Sequence, residues 1–133
     1  MAQPTTQRDR QSRVLLVDDS DAFLRAAASV VSAANRLQLV GSVTSGEEAI
    51  RLLPELKPDL VLLDVHMPGI NGVETARIIH RQHPEIVVVL MSATPESLRG
   101  TAHAATAATL IDKAELCPTS LDKLLTHRPR DET

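Results

Sequence analysis

The stretch LLVDDS, residues 15–20, decides the fold, because a short apolar run ends there abruptly in two acids. The run extends from Val14 to Val17 and is rich in branched aliphatic residues. Four further runs of this kind follow, at Leu39 to Val43, Leu60 to Leu63, Ile86 to Met91 and Thr109 to Ile111. Short continuous apolar runs predict strands that are buried on both faces.

Segments with helical spacing separate the runs. In each segment, apolar residues recur three or four positions apart, which predicts a helix with one apolar face. These faces are formed by Ala27, Val30, Val31 and Ala34; by Ala49, Leu52 and Leu53; by Val73, Ala76 and Ile79; and by Leu121, Leu124 and Leu125. Strict alternation of strands and helices predicts an α/β fold: a doubly wound parallel sheet of five strands, with five helices on its two faces and right-handed crossovers.

Local signals predict where the helices begin and end. Pro54 and Pro84 are predicted to end the second and third helices. A fourth helix over about residues 95–105 is interrupted by Gly100, so we expect it to be mobile. Helix starts are indicated by Ser45 with Glu48, by Asn71 with Glu74, and by Thr94 with Pro95.

Composition limits the class of protein. The 133 residues fit one domain, for which we predict residues 13–127, between disordered tails at 1–12 and 128–133. A net charge of -3 argues against direct binding to nucleic acid. The single cysteine, Cys117, the polar N-terminus and the lack of a run of roughly 20 apolar residues predict a cytoplasmic protein that is neither exported nor embedded in a membrane.

Charged and polar side chains follow the predicted strands, at the edge of a parallel sheet where ligands bind. They are Asp18 and Asp19 after the first strand, Asp64 after the third, Ser92 after the fourth, and Asp112 and Lys113 after the fifth. Carboxylates that converge in this way repel one another unless a cation lies between them. Hard oxygen ligands select Mg²⁺ or a similar ion, so the sequence predicts a magnesium site here.

The same residues predict a chemistry. Asp64, oriented in line with a phosphoryl donor beside a cation, can act as the nucleophile. Lys113 supplies a second positive charge, and Ser92 a hydroxyl donor to a phosphoryl oxygen. Taken singly, such residues are commonly helix caps, turn residues or surface charges. Their joint placement at four strand ends carries the prediction.

Four stretches in this order and spacing resemble the receiver domain of bacterial response regulators. They are LLVDDS at 15–20, LLDVHMPGINGVE at 62–74, VLMSAT at 89–94 and LIDKAEL at 110–116, and the likeness covers about residues 13–127. The resemblance implies a flavodoxin-like fold with strand order 2-1-3-4-5. The residues around Lys113 are most similar to receivers of helix-turn-helix transcription regulators.

The resemblance also implies roles for the residues of the site. A histidine kinase or phosphotransfer protein would phosphorylate Asp64. Mg²⁺ would be held directly by Asp19, Asp64 and the backbone carbonyl of His66, and by Asp18 through a water molecule. Ser92 would shift toward the phosphoryl group and Lys113 would pair with it. The signal would reach a protein effector through the face formed by the fourth helix, the fifth strand and the fifth helix.

Two residues depart from the family pattern. Leu110 stands where family members usually have Tyr or Phe, which puts the usual aromatic switch in doubt. Ala114 follows the lysine where proline is common, and we predict a trans bond because a non-proline cis bond costs about 2.5–4 kcal/mol.

Several functions follow from these observations. The leading one is a stand-alone, non-enzymatic switch that depends on phosphorylation. One alternative is a phosphorylation-independent binding module, and another is a receiver cut from a longer transcription regulator. An aspartyl phosphohydrolase is disfavoured, because such enzymes place an acid where His66 stands. The cognate kinase, the partner, the lifetime of the phosphoryl group and any phosphorylation-linked dimer stay open.

Overall fold

The computed structural model describes residues 11–93 and 109–121. The predicted fourth helix, Leu124, Leu125 and most of both predicted tails lie outside these residues. The described elements are β1 (Ser12–Val17), α1 (Asp21–Ala33), β2 (Leu37–Val43), α2 (Gly46–Leu56), β3 (Leu60–Asp64), α3 (Gly72–Gln82), β4 (Val87–Ser92), β5 (Thr109–Asp112) and a 3₁₀ turn at Lys113–Glu115. Among them, no helix has the length and apolar character needed to cross a bilayer.

The five strands form one parallel sheet in the order β2-β1-β3-β4-β5. This confirms the predicted fold class and strand order. The prediction that all five strands are fully buried is wrong for the two edges. Ser42 of β2 and Thr109 of β5 are exposed, because an edge strand has a neighbour on one side only.

The core has two layers, one on each face of the sheet. Successive residues of a strand point to opposite faces, so Leu15 and Val17 pack with α2 and α3, whereas Val14 and Leu16 pack with α1. All four side chains have no exposed surface. This is the physical reason why β1 is apolar at every position rather than at alternate ones.

Side-chain caps begin α1, α2 and α3. Ser45 Oγ accepts from Glu48 N at 3.1 Å and Asn71 Oδ1 accepts from Glu74 N at 2.9 Å, as the capping-box spacing predicted. Ser20 Oγ accepts from Phe23 N at 3.2 Å at the start of α1, a cap that we did not predict.

The prediction that Pro54 ends the second helix is wrong. α2 continues through Pro54 to Leu56, and the backbone N–H of Lys57 donates to Leu53 O at 2.9 Å. Proline removes its own N–H bond and crowds the carbonyl four residues earlier. Leu56 nevertheless packs against the core, which favours two more helical residues. Pro84 follows α3, which ends at Gln82 as expected.

The first strand begins one residue before residue 13, the predicted start of the domain. β1 begins at Ser12, and the Gln11 side-chain amide donates to the backbone carbonyls of Asn35 and Leu37 at 3.1 and 3.2 Å. Ser12 therefore belongs to the sheet, and the side chain of Gln11 is bound to the segment that leads into β2.

Arg13 caps the C-terminal end of α2, where backbone carbonyls lack partners within the helix. Its Nη2 and Nε donate to Leu56 O at 2.7 and 3.1 Å, and Nε also donates to Lys57 O at 3.2 Å. We expect Arg13→Met to lower the free energy of unfolding by about 1–2 kcal/mol, because hydrogen bonds from a charged group are lost. Urea denaturation followed by circular dichroism measures this.

The matched control is Arg51→Met. Arg51 pairs with Glu48 at 3.8 Å, but its side chain is 68% exposed, so its loss should cost less than about 0.5 kcal/mol. Equal losses in the two variants would contradict a capping role for Arg13.

Candidate functional site

The parallel sheet places the chemically active residues at one edge. β1 ends at Val17, beside Leu63 of β3, so Asp18 and Asp19 follow next to Asp64. At the other side, Ser92 at the end of β4 lies in register with Asp112 at the end of β5, and Lys113 comes next. The edge therefore carries acids in its centre and a lysine at its side.

The three acids lie close together. One carboxylate oxygen each from Asp18, Asp19 and Asp64 lies within 4.8 Å of the others. Asp18 is fully buried and Asp64 nearly so, whereas Asp19 is exposed. The cluster thus has a buried floor, formed by Asp18 and Asp64, and one acid, Asp19, that faces the solvent.

Asp18 is held in place by its own backbone surroundings. Its N–H donates to Val43 O at 3.1 Å, and its Oδ1 accepts from Ser20 N at 2.9 Å. Its other oxygen, Oδ2, is buried and accepts no well-aligned hydrogen bond among the described residues. That oxygen instead faces the ammonium of Lys113.

Lys113 supplies the cation in this structure. Its Nζ lies 2.7 Å from Asp18 Oδ2 and 3.3 Å from Asp64 Oδ1. The turn that begins at Lys113 is capped by Asp112, whose Oδ1 accepts from Ala114 N at 2.9 Å. No peptide bond among the described residues is cis, so the bond between Lys113 and Ala114 is trans, as predicted.

The electrostatics of the site follow from this crowding. Burial raises the pKa of Asp64, and the nearby charge of Asp18 raises it further, although Lys113 and the backbone N–H of His66 act in the opposite direction. Burial lowers the pKa of Lys113, but its contacts with Asp18 and Asp64 outweigh burial and leave that pKa above its ordinary value. The carboxylates hold more negative charge than one lysine neutralises.

The donor set fits Mg²⁺. It consists of carboxylate oxygens, which are the hard ligands that this ion takes. Three carboxylates lie together with one lysine, and a bound cation would neutralise the negative charge that remains. His66 is exposed, and its N–H donates to Asp64 Oδ1 at 3.4 Å, so its peptide group lies beside the acidic cluster.

Ser92 is fully buried at the end of β4, and the small Ala93 after it is exposed. Thr94, the next residue, lies outside the described part of the chain. Leu110 is half-buried and packs against the core layer that contains α2 and α3. No aromatic ring stands at that position of β5.

The loop between β3 and α3 depends on close backbone contacts. Gly69 has a φ of 77°, in the left-handed region that glycine adopts readily. Ile70 N donates to Glu47 Oε2 at 3.3 Å, which ties the loop to α2. Gly72 N donates to Val65 O at 2.8 Å, so the first residue of α3 lies against the end of β3.

Two residues at the site were missed from the sequence. Glu47 gave no signal beyond its place in the first turn of a helix. Phe23 is the single aromatic residue of the chain, and nothing in the sequence indicated that it lies at the site. Its ring centroid lies 4.4 Å from Lys113 Nζ, a contact between residues far apart in sequence.

Fold and site together define a class: flavodoxin-like α/β proteins with strand order 2-1-3-4-5 and a cluster of acids and a lysine at the carboxyl edge of the sheet. A family model described as response regulator receiver domain matches residues 14–126. The chain belongs to this family, the receiver domains of two-component systems.

Known proteins resemble the chain over its receiver region. Response regulator GacA of Pseudomonas viridiflava is 45% identical over 84 residues, which are 63% of this chain and 39% of that protein. The chain therefore spans about two fifths of the length of that relative. The response regulator domain of Thermotoga maritima CheB has a TM-score of 0.75 and 28% identity, covering 88% of this chain and 96% of that one.

A DNA-binding response regulator of the LuxR family from Staphylococcus aureus is also similar, with a TM-score of 0.77 and 17% identity, covering 86% of this chain and 97% of that one. At this identity the likeness shows the fold alone. The similarity to receivers of helix-turn-helix regulators therefore stays a prediction.

Proposed function

We propose that the chain is a phosphorylation-dependent signalling switch that accepts a phosphoryl group on Asp64 from a histidine kinase or a phosphotransfer protein. The observation that carries this proposal is the placement of the Lys113 ammonium against both Asp18 and Asp64, 2.7 and 3.3 Å from their oxygens. A purely structural ion pair needs one carboxylate. A surplus of buried carboxylates is typical of a site that takes a further cation and a phosphoryl group.

Asp64 is the nucleophile in this proposal. Its carboxylate oxygen forms the new bond to phosphorus, while the bond from phosphorus to the donor nitrogen breaks and its electron pair stays on that nitrogen. Lys113 pairs with the phosphoryl oxygens, and the Ser92 hydroxyl donates to one of them. The buried floor of the site keeps these charges away from bulk water.

Asp18, Asp19, Asp64 and the backbone carbonyl of His66 would hold Mg²⁺, Asp18 through a water molecule. When bound, the ion neutralises the charge that Asp64 and the phosphoryl group bring together. The closeness of the three carboxylates supports this assignment, since their oxygens lie within 4.8 Å of one another.

The partner of the switch is proposed to be a cytoplasmic protein effector, contacted through the face of the fourth helix, β5 and the fifth helix. A phosphoryl group adds about -1.5 to -2 of charge, enough to bias a bistable segment. The net charge of -3 supports protein partners over nucleic acid. Control of an output domain in a longer regulator is a second arrangement, motivated by the 39% coverage of GacA.

A phosphorylation-independent binding receiver is the alternative that Leu110 favours. Leu110 packs against the core and carries no ring that could change its exposure. The two functions differ in whether Asp64 takes a phosphoryl group at all.

The proposal predicts that incubation with Mg²⁺ and acetyl phosphate adds one phosphoryl group to the wild type and none to Asp64→Asn. Intact mass measures this directly, and chelation of Mg²⁺ should abolish the addition. Asp21→Asn is the matched control, because Asp21 is an exposed acid in the first turn of α1. It should be phosphorylated like the wild type.

Each contrary outcome has a separate meaning. Addition to Asp64→Asn would overturn the assignment of the acceptor. No addition to the wild type, with acetyl phosphate or with phosphoramidate, would overturn the switch and favour the phosphorylation-independent module.

A further inference from the structure

Phe23 lies beside the site although it belongs to none of the strand ends. It stands in the first turn of α1, is half-buried, and packs against the core layer that contains α1. Its ring centroid is 4.4 Å from Lys113 Nζ, a distance at which an ammonium is attracted to the face of an aromatic ring. The chain has no other aromatic residue that could make this contact.

Contacts that run from Asp18 through Ser20 to Phe23, and from Phe23 through Lys113 back to Asp18, fix this ring relative to the lysine. Asp18 Oδ1 accepts from Ser20 N at 2.9 Å, and Ser20 Oγ accepts from Phe23 N at 3.2 Å. Lys113 Nζ then lies between the Phe23 ring and Asp18 Oδ2, which is 2.7 Å away. The acid that binds the ammonium thus also positions the turn that carries the ring.

The lysine needs such support. Its side chain is 21% exposed and follows β5, an edge strand paired on one side only. A lysine side chain has a flexible stem of four carbons and loses rotamer entropy when it is held in one place. Leu110 of β5 packs in the core layer that contains α2 and α3, on the opposite face of the sheet from Phe23.

We propose that Phe23 is a positioning residue for Lys113: its ring holds the ammonium beside Asp18 and Asp64, in the place from which it pairs with the incoming phosphoryl group. This inference rests on the proposed function, and it assigns a role to a residue of α1 in the chemistry at the end of β3. Without the ring, the ammonium samples more positions, and fewer of them stabilise the charge on the phosphoryl oxygens.

The size of the effect follows from the contact. A cation gains less from an aromatic face when it is exposed than when it is desolvated. Lys113 lies between these two cases, so Phe23→Leu should slow phosphorylation about 3- to 10-fold. Phe23→Tyr keeps the ring face and should restore a rate close to that of the wild type.

The first measurement is the rate of phosphorylation by acetyl phosphate with Mg²⁺, followed by intact mass, for the wild type, Phe23→Leu and Phe23→Tyr. The second is the proton chemical shift of the Lys113 ε-methylene without donor or metal. The ring current of Phe23 should move this signal upfield in the wild type and in Phe23→Tyr, and the displacement should disappear in Phe23→Leu.

A double-mutant cycle with Lys113→Ala separates positioning from a merely structural role. If Phe23 acts through Lys113, Phe23→Leu should cause no further loss of rate in the Lys113→Ala background. The same 3- to 10-fold loss in that background would overturn the proposal, as would an unchanged rate in Phe23→Leu.

Failure of the underlying function gives a different result. If the wild type takes no phosphoryl group, the proposed switch falls and the role of Phe23 in the transfer falls with it, while the displaced Lys113 signal still reports the ring contact. If the wild type is phosphorylated and its Lys113 signal is not displaced, only the role of Phe23 is overturned.

Discussion

Replacing Gly72 with alanine should lower the free energy of unfolding by about 3 kcal/mol, although the same change stabilises most helices. A helical glycine normally costs about 1 kcal/mol relative to alanine. Gly72, however, is the first residue of α3 and lies against the end of β3. An added Cβ would overlap the backbone oxygen of Asp64 and would lie 2.7 Å from Val65 Cα and 2.8 Å from Asp64 C.

The obstructing atoms make this substitution severe. They belong to the backbone of the central strand rather than to the flexible end of a side chain, so α3 or β3 must move. Overpacking of this kind typically costs 1–3 kcal/mol and occasionally more. Because the overlap involves Asp64 itself, we also expect slower phosphorylation of the folded variant.

Urea denaturation followed by circular dichroism measures the loss of stability, since the chain has neither Trp nor Tyr. Gly41→Ala is the matched control. Its Cβ would meet only the side-chain ends of Leu56 and Leu15, at 3.1 and 3.3 Å, and these can adjust. We expect a change below about 1 kcal/mol there. A Gly72→Ala variant as stable as this control would contradict the close approach.

Replacing Lys113 with methionine should lower the free energy of unfolding by about 3 kcal/mol in metal-free buffer, because it leaves Asp18 and Asp64 buried without their cation. Loss of one partner from a buried ion pair typically costs 3–5 kcal/mol. The lysine is partly exposed, which places the expected loss at the lower end of that range.

Magnesium should reverse much of this loss. A cation that binds only the folded protein stabilises it, and in the variant the ion no longer competes with the ammonium for Asp18 and Asp64. The melting temperature should therefore rise more with Mg²⁺ in Lys113→Met than in the wild type. Equal rises in the two proteins would contradict the view that the lysine occupies the cation's place.

Lowering the pH should also restore stability to Lys113→Met. The pKa of Asp64 is raised in the folded protein, so the folded state binds more protons than the unfolded state between the ordinary pKa and the raised one. The ionised Asp64 carboxylate destabilises the folded protein, so the free energy of unfolding should rise as the pH falls through the folded-state pKa of Asp64. This rise should be larger in Lys113→Met. Arg77→Met, which removes an exposed partner of Glu74, is the control for lost positive charge and should show neither response.

Much of the fold can be predicted from local sequence patterns. The apolar runs, the helical spacing and the caps at Ser45 and Asn71 each involve neighbours along the chain, so their physical meaning can be judged without the rest of the molecule. The prediction for Pro54 was wrong because it used the local pattern alone. Whether a helix ends at a proline also depends on what the following residues pack against.

Proximity of the site residues was also predictable in outline, because parallel strands bring their carboxyl ends to one edge whatever their separation in sequence. That argument predicts that Asp18, Asp64 and Lys113 lie close together, as they do. It does not say which oxygen faces which nitrogen, since that depends on side-chain packing.

The sequence by itself determined the alternation of elements, the class of sheet and the residues that meet at its carboxyl edge. Only the tertiary structure decided that Arg13 caps α2, that Gly72 lies against Asp64, and that the Phe23 ring faces Lys113. Arg13 and Phe23 each contact residues more than 40 positions away, and the approach at Gly72 depends on how α3 packs against β3. Periodicity carries no information about such contacts, because they are set by how whole elements pack together.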